Sequence, residues 1–238
     1  MSAVIWHDLE CGSYKEDLEL WRELAAQYGD PILEVGAGTG RVALELARAG
    51  HQVTALDRDP ELLAALEQRG AGLGVRATRA DARSFELDRE FALCLVPMQT
   101  IQLLGGGSGR ARFLRQARAH LRDGGFFAAA LADGMEPFEV GPGLPAPLPD
   151  MCEIDGVVYS STPVAVLDDG DGFVLERRRE TISADGTRSC SENTVRLDRL
   201  AAVELEREAA AVGLRPAGRI HVDATEEYVG SEVVVLRA

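Results

Sequence analysis

A short glycine-rich segment decides the fold: residues 32–41, which read Ile32-Leu33-Glu34-Val35-Gly36-Ala37-Gly38-Thr39-Gly40-Arg41. A brief apolar run comes first, as in a buried strand, and a helical pattern follows the glycines over residues 41–49. Glycines are needed where a backbone turns sharply from strand to helix while a ligand lies against it. The segment therefore predicts a strand, a ligand-binding turn and a helix.

The same alternation of strand and helix continues on both sides of this segment. A preceding helix is predicted from a capping-box pattern at Ser13 to Glu16 and ends at Gly29. Further strands are predicted at 52–56, 74–77, 91–96 and 126–131, with helices at 60–69 and 109–121. A helix at 200–212 and strands at 220–222 and 232–236 close the chain. Such alternation predicts an α/β fold with a parallel, doubly wound sheet.

The pattern changes between Asp133 and Asp198, where no helix is predicted. A stretch rich in proline and glycine, residues 137–149, comes first. Three strands follow at 156–167, 173–183 and 188–197, joined by short turns that contain aspartate and glycine. We therefore predict a core formed by residues 1–133 and 198–238, with an antiparallel β meander inserted over residues 134–197.

Composition restricts the classes of function. Lysine and arginine number 25 against 39 aspartates and glutamates, giving a net charge of -14, which is the wrong sign for binding nucleic-acid phosphates. No apolar run approaches the roughly 20 residues of a membrane-spanning helix, and the first residues do not resemble a signal peptide. The cysteines are widely spaced, so neither a disulfide nor a metal site is predicted. We expect a cytoplasmic protein without a nucleic-acid or membrane partner.

The spacing of the glycines separates two classes of nucleotide-binding protein. In Gly36-x-Gly38-x-Gly40 the third glycine comes one residue earlier than in the dinucleotide fingerprint G-x-G-x-x-G, which disfavours a nicotinamide dehydrogenase. The whole segment resembles the first motif of class I S-adenosylmethionine-dependent methyltransferases, in which an acidic residue precedes Gly-x-Gly-x-Gly. The resemblance covers about residues 14–131 and the last helix and strands. It implies a Rossmann-like seven-stranded sheet with an antiparallel last strand, and S-adenosylmethionine as cofactor.

The resemblance also implies a set of cofactor contacts. At the end of the second strand, the Asp57 carboxylate would accept both ribose hydroxyl protons, with Arg58 beside it. Asp81 would accept from the adenine amino group, and the backbone N–H of Ala82 would meet the ring. The implied contacts in and before the glycine turn are Glu34, Gly36, Ala37, Gly38 and Gly40.

Further candidates lie where the fourth strand and the first helix reach the cofactor crevice. Val96, Pro97 and Met98 follow the fourth strand, at the carboxyl end of the sheet. Tyr14 matches an aromatic position that closes over the methionine end of the cofactor, although helix packing explains it equally well. The candidates for orienting a methyl acceptor are Gln99 and Gln102. No catalytic residue is assigned.

The expected activity is methyl transfer to a small-molecule acceptor, with nitrogen, oxygen or another nucleophile as the accepting atom. Such a reaction requires alignment of the two partners and exclusion of water, and needs no covalent enzyme intermediate. Two alternatives stay open: aminopropyl transfer in the same nucleoside pocket, and a catalytically silent S-adenosylmethionine-binding or interaction module. The insertion is expected to cover the acceptor pocket, with a homodimer contact as a second role.

Overall fold

The structure is a computed structural model that describes residues 2–132, 134–141, 143, 147–226 and 228–238. Its helices are α1 (Ser2–Cys11), α2 (Leu18–Tyr28), α3 (Ala43–Arg48), α4 (Pro60–Arg69), α5 (Gly106–His120) and α6 (Ala202–Ala210). Its strands are β1 (Ile32–Val35), β2 (Val53–Asp57), β3 (Val75–Arg79), β4 (Phe91–Val96), β5 (Leu121–Ala132), β6 (Phe138–Glu139), β7 (Asp150–Ile154), β8 (Val157–Asp168), β9 (Gly172–Ile182), β10 (Arg188–Asp198), β11 (Arg215–Val222) and β12 (Ser231–Arg237). A 3-10 helix, Thr100–Leu103, follows β4.

Seven strands form one mixed sheet in the order β11-β12-β5-β4-β1-β2-β3. The pairs from β3 to β5 are parallel, whereas β12 is antiparallel to both β5 and β11. The predicted fold class, a Rossmann-like doubly wound sheet with an antiparallel last strand and an added antiparallel meander, is confirmed. Because the strand order reverses between β1 and β4, the carboxyl ends of these strands open a crevice for a ligand.

Both faces of the sheet are buried, and successive residues of each strand serve opposite faces. On β4, Cys94 and Val96 pack toward α5 and α6, whereas Leu93 and Leu95 pack toward α2, α3 and α4. This explains why the strands are nearly continuous apolar runs instead of alternating ones. Trp21 of α2 and Phe113 of α5 are completely buried and hold the two helix layers against the sheet. No helix in the described part of the chain is long and apolar enough to cross a bilayer.

The inserted segment forms a second, antiparallel sheet. Strands β10, β9 and β8 follow one another in it, and β6 and β7 both pair with the far edge of β8. The three long strands lie within one residue of their predicted positions. Sequence patterns missed β6 and β7, because two- and five-residue strands with mostly exposed side chains carry no clear alternation. Residue 133, the predicted end of the first core segment, and residues 142 and 144–146 of the proline-rich stretch lie outside the described residues.

The N-terminal region differs from the prediction. The capping box at Ser13 to Glu16 is wrong: α2 begins at Leu18, and the Ser13 hydroxyl contacts the hydroxyl of Tyr228 instead of a helix N–H. An additional helix, α1, comes before it. Helix α1 packs between distant parts of the chain and buries few of its side chains. The apolar residues of its sequence therefore show only a weak helical periodicity.

Candidate active site

The glycine turn between β1 and α3 is closely surrounded. Gly36, Gly38 and Gly40 have φ angles of 75, 53 and 96°, in the left-handed region that favours glycine. A Cβ on Gly36 would lie 2.5 Å from the Thr100 side chain, and one on Gly38 would lie 2.3 Å from Nε2 of His7. The turn therefore has no room for side chains, and its backbone is accessible to a ligand at Gly36, the one exposed residue of the turn.

Asp57 lies beside this turn, where the prediction expects the ribose. Its Oδ2 accepts from the Gly38 N–H at 2.8 Å, and its Oδ1 accepts from the Asp59 N–H at 2.9 Å. Each carboxylate oxygen keeps a second lone pair for another donor. Asp59 instead caps α4 by accepting from the backbone N–H groups of Glu61 and Leu62, as its position before a proline predicts. Arg58 is exposed between the two aspartates.

Asp81 lies on the neighbouring loop, since the Ala80 N–H donates to the Asp57 carbonyl at 3.0 Å. Its carboxylate already holds the Arg83 guanidinium, with distances of 2.9 Å to Nε and 2.6 Å to Nη2. The hydrogen bonds from Arg83 lower the pKa of Asp81 to about 2. A contact between Asp81 and an adenine amino group would therefore compete with Arg83; Ala82 lies next to Asp81, half-buried against the core.

Glu34 is buried under the glycine turn. Its Oε2 has no hydrogen-bond partner within the described residues, and burial raises the pKa of the carboxyl to about 8, against the nearby Arg41 charge, which lowers it. Arg41 is itself paired with the buried Asp17, the residue that precedes α2. Glu34 is thus an acid without a full set of partners, directly below the crevice.

Tyr14 lies in the turn before α2 rather than on the predicted helix. The centroid of its ring lies 5.0 Å from the centroid of the Tyr228 ring. The central carbon of the Arg41 guanidinium lies over the Tyr14 ring, 5.1 Å from its centroid. Arg41 also donates to the Tyr14 carbonyl at 3.0 Å. Burial raises the pKa of Tyr14, whose hydroxyl bonds to Ser231 at the start of β12. Tyr14 therefore joins the glycine-turn side of the site to the loop between β11 and β12.

A cavity of about 400 Å³ opens beside Tyr228. It lies at the end of the sheet where β5 stops and β12 begins, because Ala132 pairs with Ser231. Its lining residues are Gly134, His221, Ala224, Thr225, Glu226, Tyr228, Val229 and Gly230. No sequence pattern predicts this cavity, since the loop that forms it contains no motif.

The segment after β4 lies close to the glycine turn through Thr100. Val96 and Pro97 are buried, and Met98 has a φ of 54°, a left-handed conformation that is uncommon for a non-glycine residue. Gln99 is half-buried at the start of the 3-10 helix. Gln102 is not available to an acceptor: its amide donates to the Asp198 carbonyl at 3.0 Å and accepts from the Ala132 N–H at 2.7 Å. It is 2% exposed and links the two ends of the insertion.

Helix α1 contributes residues that sequence reasoning missed. Besides His7, its Asp8 accepts from the Thr39 hydroxyl at 2.7 Å and holds Arg69 of α4. Its Glu10 holds Arg179 of β9 through two hydrogen bonds of 2.8 and 2.7 Å. α1 therefore connects the glycine turn to the second sheet. These residues could not be predicted as part of the site, because a histidine and two acids without a surrounding motif do not indicate a function.

Comparison with known sequences supports the methyltransferase resemblance. Residues 32–125 match a family described as "Methyltransferase domain". A protein named "Probable cobalt-precorrin-6B C(15)-methyltransferase (decarboxylating)" from Methanothermobacter thermautotrophicus is 36% identical over 101 residues, which is 40% of this chain and 49% of that protein. "Cypemycin N-terminal methyltransferase" from Streptomyces sp is 32% identical over 111 residues, 47% of this chain and 44% of its own length. The chain thus spans about half the length of the curated relatives it matches.

Solved structures extend the likeness of fold to the whole chain. The sugar N-methyltransferase KedS8 from Streptoalloteichus sp has a TM-score of 0.76 at 19% identity, covering 100% of this chain and 93% of that one. CalS10, an amino pentose methyltransferase from Micromonospora echinaspora, has a TM-score of 0.73 at 22% identity, with 98% and 97% covered. Identities this low establish the fold alone. The sequence match therefore places a methyltransferase domain over residues 32–125, and the solved methyltransferases share the fold of the whole chain.

Proposed function

We propose that this protein transfers a methyl group from S-adenosylmethionine to an amine nitrogen of a small-molecule acceptor. One observation carries the proposal: a glycine turn that a ligand can approach lies between the Asp57 carboxylate and the unpartnered buried oxygen of Glu34. This set of groups suits a nucleoside that carries both a ribose diol and an ammonium group. A pyrophosphate would gain nothing from two flanking acids.

The chain's own residues fit the cofactor without rearrangement of the core. Asp57 has lone pairs left for ribose hydroxyls, and Glu34 offers an acceptor to the amino group of the methionine end. When bound, S-adenosylmethionine supplies an electrophilic methyl group on its sulfonium. Tyr14 and the segment from Val96 to Gln99 then form the walls that hold the reacting end and keep water away.

The acceptor class is inferred from the cavity beside Tyr228 and from the relatives. Glu226 in the cavity lining and the charge of -14 both favour a cationic amine over an anionic acceptor. The name of KedS8 states nitrogen methylation of a sugar for that protein, and the name of the cypemycin enzyme states methylation at an N-terminus. The cationic amine attacks only after it releases its proton to water, and the lone pair freed in this way is the nucleophile, so no strong general base is needed.

The test combines binding and transfer. Calorimetry should give one site per chain for S-adenosylhomocysteine and no binding of NAD. Radiolabelled methyl transfer is then measured over amino sugars and peptides with a free N-terminus, each beside its hydroxyl counterpart. Transfer to the amines alone is expected. Transfer to the hydroxyl compounds alone would contradict the amine proposal.

The same assays separate the alternatives. Cofactor binding without transfer to any acceptor would favour a silent cofactor-binding module. Product formation only from decarboxylated S-adenosylmethionine would favour aminopropyl transfer. Absence of cofactor binding would refute both and the proposal with them.

A further inference from the structure

The imidazole of His7 lies directly against the glycine turn. Its Nε2 and Cε1 would be 2.3 and 2.5 Å from a Cβ on Gly38, so the ring edge occupies the place of the missing side chain. The N–H of the same glycine donates to Oδ2 of Asp57 at 2.8 Å. The His7 ring and the Asp57 carboxylate therefore flank one residue of the turn.

The hydrogen bonds around His7 determine which ring nitrogen carries the proton. Thr39 donates its hydroxyl hydrogen to Oδ1 of Asp8 at 2.7 Å, and Arg69 holds both oxygens of that carboxylate. Toward Nδ1 of His7, at 3.3 Å, the Thr39 oxygen can then act only as acceptor, so Nδ1 bears the hydrogen. Burial lowers the pKa of His7, which keeps the ring neutral near pH 7. Nε2 consequently presents a lone pair.

Contacts on both sides fix the position of the helix that carries His7. Trp6 packs edge-on against Tyr159 of β8, with ring centroids 5.4 Å apart, and Glu10 is held by Arg179. On the opposite side Asp8 is held by Arg69 of α4. The side chain of His7 is 26% exposed, so the ring is held in place and still accessible to a ligand.

We propose that Nε2 of His7 accepts a hydrogen bond from one ribose hydroxyl of the cofactor, so that His7 and Asp57 together hold the diol. The inference rests on the proposed function, because it presupposes the nucleoside. Two neighbouring hydroxyls offer two hydrogens, and these residues provide acceptors on the two sides of Gly38. His7 is thus a binding residue supplied by a helix outside the glycine turn's own β-α unit.

The experiment combines changes in the protein with changes in the ligand. Calorimetry measures S-adenosylhomocysteine and its 2′-deoxy and 3′-deoxy forms on the wild type, His7→Leu, His7→Gln and His7→Asn. One deoxy form should bind the wild type about tenfold more weakly, the effect of one lost hydrogen bond. In His7→Leu the affinity for S-adenosylhomocysteine should fall by a similar factor. The deoxy penalty, which is the loss of affinity on removing that hydroxyl, should then be below about twofold. His7→Gln, whose amide oxygen can replace Nε2, should restore part of the penalty.

The outcomes are distinct. His7→Asn keeps a polar atom near Thr39 but none at Nε2, and gives the same measurement if His7→Leu fails to fold by circular dichroism. His51→Leu, which removes a ring that bonds to Asp30, is the matched control and should leave every affinity unchanged. An equal deoxy penalty in the wild type and in a folded His7 variant would overturn the inference. A wild type that binds none of the ligands would instead refute the proposed function.

Discussion

At the scale of single residues, the site depends on acids in contrasting environments. Asp57 is half-exposed and satisfied by two backbone N–H groups, whereas Glu34 is buried with one oxygen unpartnered among the described residues. A buried carboxyl with an unpartnered oxygen is costly when ionised, so burial raises the pKa of Glu34 to about 8 and keeps it largely protonated at pH 7. The two acids are therefore suited to different parts of one ligand, a diol and an ammonium group.

The Glu34 carboxyl should make stability depend on pH. Its folded-state pKa of about 8 is above the ordinary value of 4.5, so its contribution is complete below pH 4.5 and is lost as pH rises through 8. Glu34→Gln, which cannot ionise, should be more stable than the wild type at pH 8 by more than about 1 kcal/mol, with little difference at pH 4.5. Urea unfolding of the ligand-free proteins at both pH values measures this. Parallel pH profiles for the two proteins would contradict it.

Asp57 and Asp59 form a matched pair for testing ligand contact against helix capping. Asp57→Ala should lower the affinity for S-adenosylhomocysteine by about one to two decades. The substitution removes the carboxylate oxygens that would accept from the ribose hydroxyls, and it leaves the Gly38 N–H without its acceptor. Asp59→Ala should lower stability by about 1 kcal/mol through the lost cap of α4 while affinity stays nearly unchanged. Calorimetry and thermal unfolding separate the two effects. Equal losses of affinity in both variants would show that Asp57 acts only through the loop.

At the scale of elements, α1 links the two sheets. Its Asp8 contacts the glycine turn and α4, and its Glu10 contacts Arg179 of β9 and Ser161 of β8. Burial raises the pKa of Glu10, but the hydrogen bonds from Arg179 and Ser161 outweigh it and hold that pKa below its usual value. The ion pair is therefore favourable where it lies, and it helps to hold α1 against the second sheet.

Removal of Arg179 should loosen α1. Arg179→Leu leaves the partly buried Glu10 without its main partner, which costs about 1–3 kcal/mol in the docking of the helix. Hydrogen exchange of the α1 amides should then become at least about tenfold faster. Arg188→Leu is the control, since Arg188 is 65% exposed and lies 3.7 Å from Glu180. Unchanged protection of α1 in Arg179→Leu would show that other contacts hold it.

At the scale of the whole molecule, the insertion is joined to the core at several points. Asp198 at the end of β10 is buried against Arg110 of α5, and Gln102 binds its carbonyl. The second sheet also contacts α1, which lies over the glycine turn. We propose that this sheet covers the acceptor side of the site; a homodimer contact through the outer edge of β10 is a compatible second role. A cytoplasmic location remains a prediction.

Excision of the second sheet tests the cover. A Gly/Ser linker in place of residues 150–196 keeps the buried Leu197 and Asp198. Affinity for S-adenosylhomocysteine should stay within about tenfold, because the glycine turn and Asp57 remain, whereas methyl transfer should be lost as water and acceptor are no longer confined. Circular dichroism and subunit mass serve as controls for folding and assembly. Full transfer by the excised protein would contradict the cover role.

The sequence by itself determined the features that are local in the chain. The glycine spacing, the apolar strands around it and Asp59-Pro60 specified the turn, the doubly wound sheet and the cap of α4, because turn chemistry and periodicity act within a few residues. The long strands of the insertion were predictable for the same reason. The position of Asp57 at the end of β2 was predictable in the same way, and its contact with a ribose stays a prediction.

Only the tertiary structure decided how distant elements meet. It brought His7 onto Gly38, directed the Gln102 amide into the core, paired Arg41 with Asp17 and formed the cavity from the loop before β12. These contacts depend on helix and sheet docking across long sequence separations, to which no local pattern responds. A side chain such as Gln102 has the same propensity whether it faces a ligand or two buried backbone groups, and only the packing of β5 and β10 around it selects between them.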